Sequence, residues 1–414
     1  MKKEWIQKYQ DAVEETNFDS NVLTGFNANI DCSSSFEELE ISIEDVEAEK
    51  MESVSSKEDL KKILKYCKEN CSNEEVSLDF DLEKNCEKQL GGQGGIMANF
   101  LSRIGNRAAF YTPFLSQEIA ELMDNEVVYP VIDDTLTLQS IEEAVNSDRT
   151  KQNYIIEFEE ESCRLILSDS IRGFGPYFRK SVEEKLSETK GSIDRMLLSG
   201  FQDVEGNIEA KYKKAETQLE KVEIPKHLEF VSKGERKDKL MLSQIAPHFT
   251  SIGMDERELR NISDALGFDL EESSLGHVYN AAKNILEETG VSRVHIHTLE
   301  FQCVVAENSY SVDAEDISRG MLFGGLAAVS MAEKGEIPER DEISMAPDDM
   351  HLNRLDNLEH FEDFFDLEDF SQTGIAQIDG YTVVAVPTII HEEPKRLVGM
   401  GDLISSGAFV AEIN

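Results

Sequence analysis

Apolar positions along the chain recur in an alternating rhythm. Between residues 180 and 300, short apolar runs of strand character (Met196–Ser199, Lys226–Val231, Ser251–Met254, Arg293–His297) are separated by stretches with helical spacing. That alternation predicts an α/β fold, a parallel sheet covered by helices on both faces. Residues 1–31 read as a helix followed by a strand over Asn21–Asp31 that ends in polar residues. A core strand with a polar end is expected where a sheet edge meets a ligand. Gly91–Leu101 supplies a glycine-rich turn running into an apolar helix over Ile96–Gly105, and Ala108–Pro113 reads as a further strand. Residues 32–90 are dense in Glu, Ser and Lys with weak periodicity, and 136–180 hold strand-like pieces at Tyr154–Phe158 and Arg164–Leu167. These two stretches break the rhythm. They predict a smaller, discontinuous α+β lid over residues 32–90 and 136–180, on a core of residues 1–31, 91–135 and 181–414.

Composition narrows the partners. The 414 residues carry 83 acidic against 41 basic side chains, a net charge of −42, with 40% hydrophobic residues to build a core. Such a charge excludes a nucleic-acid surface, which needs clustered Lys and Arg, and docking on an anionic membrane. The acids are spread along the whole chain, which suits a surface adapted to high intracellular salt. No apolar run reaches membrane-spanning length, and the opening residues lack the apolar stretch of a secretory signal. Six scattered cysteines are too sparse for a disulfide scaffold or a zinc site. They are expected as free thiols in a reducing cytoplasm.

Two glycine clusters carry the candidate chemistry. Gly399-Met-Gly-Asp402 precedes a helix of small residues, which sets backbone N–H groups at a helix N-terminus, an anion-binding arrangement. Asp402 is then placed to take the proton of an attacking hydroxyl, or simply to cap the helix. Leu90-Gly-Gly-Gln-Gly-Gly-Ile96 is a second turn, in which Gln93 offers donor and acceptor to a polyol, or which permits close helix–sheet contact. Neither the P-loop nor the dinucleotide-binding glycine motif is present. His295 and His297 are expected on opposite faces of their strand as structural histidines. Gly320–Ser330 reads as a close-packed core helix, and His360–Phe370, which alternates Phe with acids, as an amphipathic surface helix.

Four motifs in order, Thr24–Asp31, Gly91–Asn99, His227-Leu-Glu229 and Gly399–Asp402, resemble the ADP-dependent sugar kinases. These are the archaeal glucokinase and phosphofructokinase branch of the ribokinase-like superfamily. The resemblance implies a ribokinase-like three-layer α/β/α core with a lid, and transfer of the β-phosphoryl of ADP to fructose 6-phosphate, to glucose or to both, with release of AMP. It makes Asp402 the catalytic base and the amides of Gly399, Met400 and Gly401 the anion hole. Asn29, Asp31, Gly92 and Gln93 would contact the sugar. So would a lid glutamate, Glu75 with Glu74 as its rival, and Asn153, which stands where glucokinase members carry a His. Arg164 would contact the nucleotide phosphates, and Glu229 and Glu258 would hold Mg²⁺, with Asp255 replacing the usual Asn of that second motif. Lys151, Arg172 or Arg179 would serve a sugar phosphate, and Leu403 stands where relatives often carry Thr. A cytoplasmic monomer or small homo-oligomer is implied. The alternatives are an ATP-using ribokinase-like kinase and a non-catalytic sugar- or nucleotide-binding regulator.

Overall fold

The computed structural model describes residues 1–412 apart from residues 73, 81, 83–85, 133–135, 159–162, 170–172, 184, 186–191, 269 and 271–273. Arg172 lies outside the described residues. The chain builds an eleven-stranded sheet and a six-stranded one. Seven neighbouring strands of the large sheet run parallel: Arg293–His297, Ser251–Asp255, Lys226–Glu229, Arg195–Leu198, Asn21–Gly25, Arg107–Tyr111 and Val128–Ile132. Antiparallel strands extend both edges. On one side stand Phe301–Glu307, Tyr381–Pro387 and Ile375–Ile378, and on the other Leu136–Ser140. The central strands are buried throughout, as a sheet covered on both faces requires. Residues 136–140, assigned to the lid on sequence, therefore pair in the large sheet.

The strand expected over Asn21–Asp31 is two strands. Asn21–Gly25 joins the large sheet and Asn29–Ser35 joins the small one. The polar residues that looked like one strand's end form the crossing between the sheets. The small sheet, in the order Ser53–Val54, Glu74–Leu78, Cys163–Ser168, Gln152–Phe158, Asn29–Ser35 and Glu87–Gly91, is backed by helix Lys57–Asn70. Leu60, Ile63, Leu64 and Cys67 recur at helical spacing on that helix and pack on Leu165 and Leu167. Ser56 caps it, accepting the Asp59 N–H at 3.1 Å.

Helix Ala314–Lys334 lies against the C-terminal helix Met400–Ala411. A Cβ at Gly320 would come 2.6 Å from the Ala408 carbonyl oxygen, so glycine there sets the approach of the two helices. The free-thiol expectation is corrected at one pair. Cys32 and Cys86 form a disulfide, because antiparallel pairing of Asn29–Ser35 with Glu87–Gly91 brings their Cα atoms to 5.4 Å. A sequence separation of 54 hides that pairing. Cys67, Cys71, Cys163 and Cys303 remain thiols. Among the described residues, no helix is long and apolar enough to cross a membrane.

Candidate active site

The C-terminal ends of the parallel strands, where open α/β sheets bind ligands, face the small sheet across a cleft of about 190 Å³. Asn29, Asp31, Glu75, Gly92, Gln93, Asn153, Gly399 and Asp402 line it together. Strand pairing explains the convergence. Asp31 lies opposite Asn153 on one side and Gln89 on the other. Gly91, opposite Asn29, leaves room for both side chains, since a Cβ there would come 2.3 Å from Asn29 Nδ2 and from Asp31 Oδ2. Asn29 donates to Asp31 Oδ1 at 2.6 Å and Asn153 donates to the same oxygen at 3.1 Å. Ser168 in turn donates to Asn153 Oδ1 at 3.0 Å, fixing which way that amide points. Asn27 donates to Gln93. The close-contact reading of the second glycine turn holds, because a Cβ at Gly94 would lie 2.8 Å from the Asn27 carbonyl oxygen.

Gly399 adopts a left-handed conformation, φ 92°, and caps helix Met400–Ala411. Asp402 sits in the first turn of that helix, 8% exposed. Burial, joined by the charge of Glu229 and against that of Arg396, holds the Asp402 carboxyl well above the usual carboxylate range. Asp31 is pushed up to about 6 by burial, against the pull of Asn153, Arg396 and Lys151. An ionised Asp31 can accept two sugar hydroxyls, and a proton on it removes that capacity. As the pH falls through about 6, sugar binding measured directly by titration is therefore expected to weaken, and Asp31→Asn should flatten this limb. The group's contribution to stability runs the other way: its folded pKa lies above its unfolded one, so stability rises as the pH drops between them. A limb near pH ~4, the ordinary carboxylate value, would contradict the burial account.

Behind the glycine turn lies a second acidic group. Glu229, at the end of its strand, receives a hydrogen bond from His227 at 3.1 Å, and His297 Nε2 stands 4.0 Å from its other oxygen. Burial raises the Glu229 carboxyl, but the two histidines outweigh it and hold it low. Glu258 and Asp255 cap helix Glu256–Leu266 reciprocally: Glu258 N–H donates to Asp255 Oδ1 at 2.7 Å, and Asp255 N–H to Glu258 Oε2 at 2.9 Å. Asp255 thus acts as a helix cap. Burial, followed by the charge of Asp255, pushes Glu258 well above its ordinary range, with Glu229 adding to the effect. Two buried carboxylates, 5% and 6% exposed, whose charges oppose one another fit a divalent cation. The one trio of ligand atoms within 4.8 Å among the described residues, Glu216, Glu220 and His248, involves a residue just ahead of strand Ser251–Asp255, at the sheet's opposite end. A cation between Glu229 and Glu258 would therefore draw further oxygens from water or phosphate.

Several expectations change. His295 and His297 share a face, as residues two apart on a strand must, and their rings lie 6.2 Å apart. His295 is buried beside Gln302 Oε1 at 3.3 Å, whereas His297 packs under the glycine turn, where a Cβ on Gly401 would lie 2.8 Å from its Cε1. Glu75 lines the cleft, while its rival Glu74 is paired with Lys50 at 2.8 Å. Arg164 pairs opposite Glu157. It shares the sheet face of Ile166 and Ser168, which line the cleft, but stands further along the strand and does not line it. Arg179 is spent on Pro113 O and Asn146 Oδ1 at 2.8 and 2.6 Å. Lys151 lines the cleft, ion-paired with Asp203 at 3.1 Å. Three further residues were missed on sequence. Lys233 pairs with Glu75 across the cleft, and Lys237 lines the adjoining chamber of about 240 Å³. Arg396, held on Val398 O and Leu90 O at 3.0 and 3.2 Å, places its charge near Asp31 and Asp402.

Comparison with known proteins agrees with this geometry. Residues 20–411 match the ADP-specific phosphofructokinase/glucokinase conserved region. An ADP-dependent glucose/glucosamine kinase of Pyrococcus furiosus is 29% identical over 79% of this chain and 76% of its own length. An ADP-specific phosphofructokinase of the same organism is 28% identical over 83% and 82%. Among solved structures, an ADP-dependent kinase in complex with fructose-6-phosphate and ADPβS superposes with a TM-score of 0.85 at 26% identity, over 100% of this chain and 97% of that one. The ribokinase-like α/β core, the glycine turn with its buried aspartate and the match over nearly the whole chain converge on one conclusion: this chain belongs to the ADP-specific phosphofructokinase/glucokinase family.

Proposed function

We propose that the chain is a Mg²⁺-dependent kinase that moves the β-phosphoryl of ADP to a hexose, with fructose 6-phosphate ahead of glucose, and releases AMP. The carrying observation is Asp402, a desolvated carboxyl in the first turn of a helix, facing Asn29, Asp31, Gln93 and Asn153 across one cleft. Asp402 takes the proton of the acceptor hydroxyl as the new oxygen–phosphorus bond forms and the bond to the AMP oxygen breaks. The N–H groups of Gly399, Met400 and Gly401 receive the charge of the transferred phosphoryl. Arg164 reaches the nucleotide phosphates from the cleft-facing side of the small sheet. Glu229 and Glu258 would hold Mg²⁺, partly through water, and the cation would supply positive charge against the diphosphate. The lid assigned to residues 32–90 and 136–180 is then the small sheet with helix Lys57–Asn70, residues 136–140 going to the core. It closes to exclude water and so limits hydrolysis of ADP.

Lys151, Lys233 and Lys237 line the chamber beyond Glu75 together with Glu52, Asp169, Asp203 and Glu205, so a sugar phosphate there would take over the pairings of Lys151 with Asp203 and of Lys233 with Glu75. These cations gather in a chain whose overall charge is −42. Its remaining acids suit concentrated salt in an archaeal cytoplasm, where the enzyme works as a monomer or small homo-oligomer. The test is kcat/KM for both sugars, each with ADP and with ATP. Lys233→Met is expected to lower kcat/KM for fructose 6-phosphate about ten- to a hundredfold, the worth of a hydrogen bond to a charged group, and to leave glucose nearly unchanged. Equal losses for both sugars would remove Lys233 from phosphate recognition, and preference for ATP would overturn the donor assignment.

A further inference from the structure

Strands Lys226–Glu229, Ser251–Asp255 and Arg293–His297 are neighbours, and their register sets His227 beside Ser251 and Ser251 beside Arg293. All three side chains are fully buried. Arg293 Nη1 donates to Ser251 Oγ at 2.9 Å, Ser251 Oγ lies 2.9 Å from His227 Nδ1, and His227 Nε2 lies 3.1 Å from Glu229 Oε2. At the far end Arg293 pairs with Glu412 at 2.6 Å, and Tyr310 donates to the other Glu412 oxygen at 2.7 Å. We propose that Ser251 and Arg293, anchored by Glu412, are positioning residues: they fix the tautomer of His227 and thereby aim Glu229 at the divalent cation. The inference rests on the reading of Glu229 as a cation-holding residue.

The direction of the chain follows from what each group can do. A guanidinium only donates, so Ser251 accepts from Arg293 and keeps its own proton for His227 Nδ1. With Nδ1 accepting, the imidazole proton sits on Nε2, which then donates to Glu229. The reverse tautomer would leave the serine proton without an acceptor in this row and set the Nε2 lone pair against carboxylate lone pairs at 3.1 Å. One carboxylate oxygen is thus fixed, and the other is left toward His297 and the site. Gly253, opposite Glu229, makes the contact possible, since a Cβ there would lie 2.7 Å from His227 Nε2 and 2.8 Å from Glu229 Oε2. Partners of this kind behind a metal ligand fix its orientation and tune the affinity of the site.

The test uses the full chain and two readouts besides activity: ¹⁵N spectra of His227, and Mn²⁺ binding by calorimetry. The wild type is expected to show the Nε2–H tautomer. Ser251→Ala should lose that preference and weaken Mn²⁺ binding about ten- to a hundredfold, and Ser251→Thr, which keeps the hydroxyl, should restore both. Gly253→Ala should weaken Mn²⁺ binding similarly by wedging the His227–Glu229 pair apart. Wild-type tautomer and affinity in Ser251→Ala, alongside weakened Mn²⁺ in Glu229→Gln, would overturn the positioning role and spare the metal site. Unchanged Mn²⁺ affinity in Glu229→Gln would overturn the metal reading and the inference with it.

Discussion

Asp402→Asn is expected to lower kcat by about 10²- to 10⁴-fold, the usual worth of a positioned general base, with the KM for the sugar held within a few-fold. The amide keeps the shape of the carboxylate but cannot accept a proton from the acceptor hydroxyl. On the proposed reading the sugar's contacts are Asn29, Asp31, Gln93 and Asn153, which line the same cleft, so binding is expected to survive. Stability should move in the opposite direction. The ionised Asp402 is buried and faces the like charges of Glu229 and Asp31, which is why its carboxyl is held well above the ordinary range. That charge opposes folding at neutral pH, so a neutral amide is expected to raise Tm, the trade between stability and activity common at catalytic sites. Steady-state kinetics with ADP and fructose 6-phosphate, beside a melting curve, check both halves. A kcat within about fivefold of wild type would remove Asp402 as the base, because such a base carries at least about a hundredfold. A lost activity with a lowered Tm would mean that the substitution had damaged the fold.

What the sequence disclosed about this site follows the range of each interaction. The glycine turn before Asp402 and the Gly91–Gly92 turn were legible because backbone requirements are local: a left-handed Gly399, or a residue with no Cβ beneath Asp31, leaves its mark within a few positions. The parallel core was legible for the same reason, since strands buried on both faces read as short apolar runs. The crossing between sheets at residues 26–28 was not, because nothing in Asn21–Asp31 says which sheet each half will join. Lys233 and Arg396 escaped notice because their work depends on partners 158 and 306 positions away. The Cys32–Cys86 pair depends likewise on strand pairing. The acidic Phe-rich run divides into helix Asp356–Phe365 and the short helix Phe370–Thr373. Asp366, left-handed at φ 52°, ends the first helix, which leaves Phe361 buried and Phe364 75% exposed. His297 was misread through geometry that the sequence did contain, since positions 295 and 297 must share a face.

His297 also sets the second large effect, expected from Gly401→Ala. On helix propensity alone, alanine for glycine in the first turn of a helix should stabilise the protein by about 0.5–1 kcal/mol. Here the new Cβ would lie 2.8 Å from His297 Cε1 and 3.2 Å from Nε2. The ring is confined, its side chain only 12% exposed with Glu229 4.0 Å from Nε2 and the His295 ring 6.2 Å away. The glycine turn is expected to lift in response, carrying the 399–401 amides and Asp402 out of the alignment the proposed reaction needs. A displacement of about 1 Å costs on the order of a hundredfold in rate, and losing one well-aimed donor costs as much or more. A kcat lower by about 10²- to 10³-fold with the sugar KM nearly unchanged is the expected result. Because the cause is a collision between two side chains, it should be relieved from the other side. His297→Ala in the Gly401→Ala background is expected to recover at least about tenfold in kcat, although His297→Ala alone removes a partner of Glu229 and lowers activity. That sign of coupling is what a double-mutant cycle reads. A double variant no better than the product of its two single losses would mean that the Gly401→Ala loss does not come from a collision with His297.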